Sequence, residues 1–175
     1  MSVLLTGIPV SPVFFQKVTI MNSATGTEPG QRAPGISLSD QHGKRWHLHE
    51  ALGRVVVLLF YPADETPVCT KQLCSVRDHW SQYQQTGAEV VGINTDSVKK
   101  HQGFADKHDL PLRLLSDSDG MVVRAYKMKN LFGTKRGVIV IDRQGIIRWR
   151  KTVLPIFRPE DDEILEIIRT LVDES

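Results

Sequence analysis

What this chain of 175 residues has least of is cysteine, with only Cys69 and Cys74. Two thiols do not make the disulfide scaffold of a small secreted domain; they fit a reducing compartment in which the pair cycles. A cytoplasmic location is therefore expected. An excess of one charge is also missing, since 22 Lys and Arg stand against 20 Asp and Glu, a net charge of +2 and a pI near 8.6. That balance gives little reason to expect nucleic acid or an anionic membrane as partner. No apolar run reaches the length of a membrane span. Repeats and low-complexity tracts are absent too. With 41% hydrophobic and 24% charged residues, what remains reads as one globular domain with an ample core.

Residues 1–29 lack both arginine and periodicity. Pro9 and Pro12 interrupt the mildly apolar start and the first basic residue is Lys17, so neither a signal peptide nor a transit peptide is expected. The segment reads as a loose, dispensable tail ahead of a single domain over 30–175, and Met21 is an alternative start.

The most informative stretch runs from Tyr61 to Cys74. Before it, Val55–Phe60 is an unbroken apolar run, as in a strand covered on both faces. Thr66-Pro67 reads as a helix start, with threonine at the N-cap and proline at the first helical position. Leu73, Val76, Trp80 and Tyr83 recur at helical spacing, which predicts one amphipathic helix after Pro67 with Cys69 in its first turn. Free N–H groups and the positive end of the helix dipole favour a thiolate there. Thr66 can offer its hydroxyl to those N–H groups or to the sulfur. Pro62 stiffens the turn from strand to helix. Five helical residues carry Cys74 about 8–9 Å from Cys69, Cα to Cα. A disulfide needs less than about 7 Å, so two helical cysteines bond only after local unwinding.

Elsewhere the pattern is ordinary. Two short strands flank the turn Asp40–Gly43, with His47 and His49 on one strand face. A second buried strand lies in Ala88–Thr95. A helix follows over Ser97–His108, capped by Asp96 or Ser97, its lysines and histidines on a solvated face. Leu112–Ser116 is a short strand, Asp117–Gly120 the cap of a helix over Met121–Tyr126, and Asn130–Lys135 a loop. A hairpin turns at Asp142–Gly145, its second strand at a sheet edge. The last helix follows Pro159, with acidic residues in its first turn and Ile164, Ile167, Ile168 and Leu171 as core stripe. Strands alternating with helices make an α/β domain. Arg136, on these patterns alone, reads as a surface charge at a strand end.

Pro62-x-x-x-Thr66-x-x-Cys69 resembles the active-site motif of peroxiredoxins, and Phe60-Tyr-Pro-Ala-Asp-Glu-Thr-Pro-Val-Cys69 with Cys74 resembles their bacterioferritin-comigratory, or Q-type, branch. The likeness continues through Arg77-Asp78 and Arg136–Asp142. Val68 departs from it, because the branch usually has glycine there. The resemblance implies a thioredoxin-like fold, a central mixed sheet flanked by helices with an N-terminal β-hairpin. It also implies a thiol peroxidase acting on hydrogen peroxide and organic hydroperoxides. Cys69 would attack the peroxide and Cys74 would resolve the sulfenic acid as a disulfide, reduced by thioredoxin or a similar dithiol. Thr66, Pro62 and Arg136 would complete the site, with no metal or organic cofactor, in a monomer. Arg136, 67 positions after Cys69, moves to the site on this reading, and as an exposed charge it would cost little stability to remove.

Three other readings stay open on the residues themselves. Cys69 could be a small core residue. The pair could serve a redox sensor that signals through thiol-disulfide exchange. Cysteines and histidines could hold a metal, although His42, His47 and His49 lack a convincing spacing.

Overall fold

The structure, a computed structural model, describes residues 25–174. The elements in chain order are β1 (Ser37–Ser39), β2 (Arg45–His47), α1 (Leu48–Ala51), β3 (Val56–Phe60), α2 (Pro67–Asp78), α3 (Trp80–Thr86), β4 (Glu89–Asn94) and α4 (Val98–His108). They continue with β5 (Arg113–Ser116), α5 (Met121–Ala125), β6 (Lys129–Asn130), β7 (Gly133–Thr134), β8 (Arg136–Ile141), β9 (Ile147–Val153) and α6 (Asp161–Asp173).

Seven strands form one mixed sheet in the order β2-β1-β5-β4-β3-β8-β9. β3 lies near its centre, parallel to β4 and antiparallel to β8. Its five residues are all buried, as an apolar run without polar alternation requires. Alternate side chains of β3 enter two cores. Val56, Leu58 and Phe60 pack with Trp46, Leu48, Val123 and Tyr126 beneath α1 and α5. Val57 and Leu59 pack with Cys69, Leu73, Tyr83, Phe104 and Ile164 beneath α2, α3, α4 and α6. Cys69 therefore belongs to a core layer. No helix among the described residues is long and apolar enough to cross a membrane.

Several expectations need correction. The helix after Pro67 is two helices, α2 and α3, because His79 leaves helical geometry at φ −98° and ψ 12°. The periodicity of Leu73, Val76 and Tyr83 persists across this break, since all three are buried in one core. The stretch Asn130–Lys135 carries the two-residue strands β6 and β7 rather than a plain loop. β2 ends at His47, so His49 lies in α1 and not on the strand face. His101, expected on a solvated helix face, is buried. Of the expected tail, residues 1–24 lie outside the described residues. The other five are docked: Thr25 bridges to Arg32, Thr27 is 2% exposed, and its carbonyl accepts from Arg150 Nη1 at 3.1 Å.

Candidate active site

The sheet register builds the site. Phe60 at the end of β3 pairs with Gly137, so the loop leaving β3 begins beside Arg136. Gly137 must be small: a Cβ there would lie 2.7 Å from the Lys151 carbonyl oxygen of β9. Side chains alternate along β8, so Gly137 faces Met128 on one side of the sheet while Arg136 and Val138 face the side that α2 covers. The Arg136 guanidinium is thereby carried inward and is 2% exposed. Its Nη2 donates to Cys69 Sγ at 3.1 Å, and its Nη1 donates to Gln72 Oε1. Nε reaches the Pro155 carbonyl at 3.4 Å. Arg136 is thus no surface charge at a strand end. Desolvating a guanidinium is costly, and sulfur, amide and carbonyl acceptors offset that cost together.

Cys69 sits fully buried in the first turn of α2, and neither it nor Cys74 is in a disulfide. Thr66 occupies the N-cap position without capping. Its hydroxyl instead donates to the Ala63 carbonyl at 3.3 Å, tightening the loop. The first-turn N–H groups are therefore not taken up by a cap and keep their positive field beside the sulfur. Pro62 lies half-buried in the same loop. Cys74 is half-buried further along α2, packed against the core that holds Cys69. α2 is continuous from Pro67 to Asp78. Ideal helix geometry then keeps the two Cα atoms about 8–9 Å apart, beyond disulfide reach.

The loop between β3 and α2 is held from inside by residues that carried no expected role. Asp64 is buried and accepts from Tyr61 Oη at 2.8 Å and Asn94 Nδ2 at 3.0 Å, while His101 Nδ1 lies 2.7 Å from its Oδ2. The other ring nitrogen of His101 faces the Leu115 carbonyl at 3.2 Å. The Asp64 N–H donates to Asp96 Oδ2 at 2.7 Å. Burial, and then the Asp64 carboxylate, push the Tyr61 hydroxyl well above its ordinary pKa, so it stays a donor. On the outer side Glu65 holds a left-handed φ of 63°, uncommon for a residue with a Cβ. Its carboxylate meets Lys107 Nζ at 2.7 Å, and that hydrogen bond lowers its pKa. No pattern in the sequence singles out Asp64 or His101, because their pairing spans 37 positions and exists only once α4 packs on the sheet. Among the described residues no group of three His, Cys, Asp or Glu is placed to hold a metal ion.

Comparison with known proteins gives the same lineage. Residues 29–150 match the AhpC/TSA family. The chain is 40% identical over 154 residues to a Coxiella burnetii protein named peroxiredoxin bcp, covering 82% of this chain and 98% of the relative. It is 42% identical over 147 residues to the chloroplastic peroxiredoxin Q of Triticum aestivum, covering 81% and 67%. The structure of peroxidoxin BcpB from Mycobacterium tuberculosis superposes at a TM-score of 0.75 with 31% identity, covering 83% of this chain and 98% of that one. Peroxiredoxin Q of Xanthomonas campestris shares the fold at a TM-score of 0.67 with 24% identity, over 79% and 90% of the chains. By a family match over most of its length and relatives at 40% identity or above, the chain belongs to the AhpC/TSA family, as a thiol-dependent peroxidase of the peroxiredoxin type with a thioredoxin-like fold.

Proposed function

We propose that Cys69 is the thiol that attacks peroxide and that Cys74 resolves the product. The observation that carries this reading is the hydrogen bond from the buried Arg136 guanidinium to Cys69 Sγ. A cation donating to sulfur favours the thiolate, which is the nucleophile. The thiolate displaces the distal peroxide oxygen: a new S–O bond forms, the O–O bond breaks, and the departing oxygen takes a proton to leave as water or alcohol. Arg136 and the open N–H groups of the first turn face the charge that builds on that oxygen. Thr66 keeps its own hydrogen on the Ala63 carbonyl, so its oxygen can accept from the hydroperoxide O–H and align it. Pro62 keeps bulk water off the sulfur.

The sulfenic acid then meets the Cys74 thiolate. An S–S bond forms as hydroxide leaves and is protonated to water. Two electrons from an external dithiol, thioredoxin or a similar protein, restore both thiols. Both cysteines lie on one helix, so a single chain completes the cycle as a monomer, and the sparing use of cysteine suits the cytoplasm. Peroxide consumption by the wild type, Cys69→Ser and Cys74→Ser proteins, with and without thioredoxin, tests the reading. Cys69→Ser should show no first turnover. Cys74→Ser should keep the first turnover and lose sustained thioredoxin-dependent activity. Equal loss of the first turnover in both variants would refute the roles.

A further inference from the structure

We infer that Ser75, Arg158 and Asp161 form a latch on the Cys74 end of α2, and that its release sets the rate at which Cys74 reaches the oxidised Cys69. The inference rests on the cysteine roles proposed above and names the residues that control the second step.

The latch is built on Asp161, the first residue of α6, which is 5% exposed. One carboxylate oxygen accepts from the Ser75 hydroxyl and lies 3.4 Å from Arg158 Nη1. The other accepts from Tyr83 Oη on α3 at 2.8 Å. Arg158 Nη1 also donates to Ser75 Oγ at 3.0 Å. Ser75 thus sits between a guanidinium and a buried carboxylate, and it is the residue directly after Cys74. The segment from 154 to 160 touches a neighbour of each thiol. Near its start the Pro155 carbonyl accepts from Arg136, which is bonded to Cys69, and near its end Arg158 holds Ser75.

Closing the gap between the sulfurs requires one end of the pair to move. The Cys69 end is fully buried and held by Arg136. The Cys74 end is only half-buried, yet consecutive Cα atoms are about 3.8 Å apart, so Cys74 travels little while Ser75 stays bound. Release of the Ser75 hydroxyl is therefore a condition for the Cys74 side to unwind. Ser75, Arg158 and Asp161 are positioning residues, because none of them touches the reacting atoms.

Intrinsic helix preference and the latch predict opposite signs, which makes the test sharp. Alanine favours helix more than serine, so on preference alone Ser75→Ala holds α2 wound more firmly and slows resolution. Losing a hydroxyl bonded to a buried carboxylate instead frees the Cys74 end, by about tenfold in rate. The full chain is mixed rapidly with one equivalent of hydrogen peroxide, quenched with a thiol-alkylating reagent, and the sulfenic acid and disulfide are counted by mass spectrometry. Ser75→Ala should form the sulfenic acid at the wild-type rate and the disulfide about tenfold faster. Ser75→Thr, which keeps the hydroxyl, should resolve like the wild type, and Arg158→Gln should also be faster than wild type. Disulfide formation in Ser75→Ala at or below the wild-type rate would overturn the latch while leaving the cysteine roles intact. A wild-type protein that forms no Cys69–Cys74 disulfide would overturn the cysteine roles and the latch with them.

Discussion

The two ends of α2 hold their cysteines in opposite ways. At its start Cys69 is fully buried, with a guanidinium on the sulfur and a hydrogen-bonded loop leading into the helix. Toward its end Cys74 is half-buried, and the polar grip falls on its neighbour Ser75. The difference separates two demands of the chemistry. Attack on a peroxide needs a sulfur kept in one place among fixed dipoles. Resolution needs a sulfur that can travel. On the proposed roles, one helix meets both demands by holding more firmly the end that attacks and leaving the end that resolves to be released.

The comparison is best attacked at its rigid end. Arg136→Ala removes the charge on the sulfur, and stopped-flow measurement of the first turnover should show attack slowed by about 100-fold. The same variant should lose about 3 kcal/mol of stability to denaturant, since the vacated site leaves buried polar partners unpaired. This reverses the expectation for an exposed charge. Full activity in Arg136→Ala would end the case for a fixed, cation-held sulfur.

A second break lies in the loop ahead of Cys69. His101→Ala strips a buried partner from Asp64, and chemical denaturation should register a loss of about 2–3 kcal/mol. Peroxide attack should slow by much less than in Arg136→Ala, because His101 does not touch the sulfur. An unchanged denaturation midpoint would return His101 to the solvated face expected of it.

Flexibility sharpens the contrast. Val68 stands one residue before Cys69, where glycine would add roughly 0.5–1 kcal/mol of backbone freedom. Val68→Gly should speed disulfide formation about two- to fivefold and lower over-oxidation at high peroxide. If it left both unchanged, the first turn would play no part in unwinding, and motion would belong wholly to the Cys74 end. The smallest effect is expected far from either cysteine. A chain starting at Thr25 should match the full chain in peroxide turnover, whereas one starting at Gly30 loses the buried Thr27 and should melt earlier, at a cost of about 1 kcal/mol. Equal melting of the two would make 25–29 part of a dispensable tail after all.

Much of the fold was legible because its signals are local. The apolar run of β3, the Thr66-Pro67 start of α2, the Asp142–Gly145 turn and the stripe of α6 each show within a few residues, and each stands in the structure. The α4 start was legible for the same reason, since Ser97 accepts from the Lys100 N–H. What failed were inferences about which face is wet. His101 and Arg136 carry side chains that usually meet water, and only long-range partners bury them. The break at His79 was hidden because the hydrophobic spacing continues past it.

The sequence by itself determined most of the elements, the nucleophile candidate, and the separation of the two cysteines, because helix rise and turn follow from neighbours along the chain. Tertiary structure alone decided that Arg136 meets the sulfur as a buried rather than an exposed charge, that Asp64 and His101 hold the loop, and that Ser75 is gripped by α6. Each of those contacts joins residues 37 to 86 positions apart. Such pairs carry no periodicity, and their energy exists only after the sheet and helices have excluded water around them.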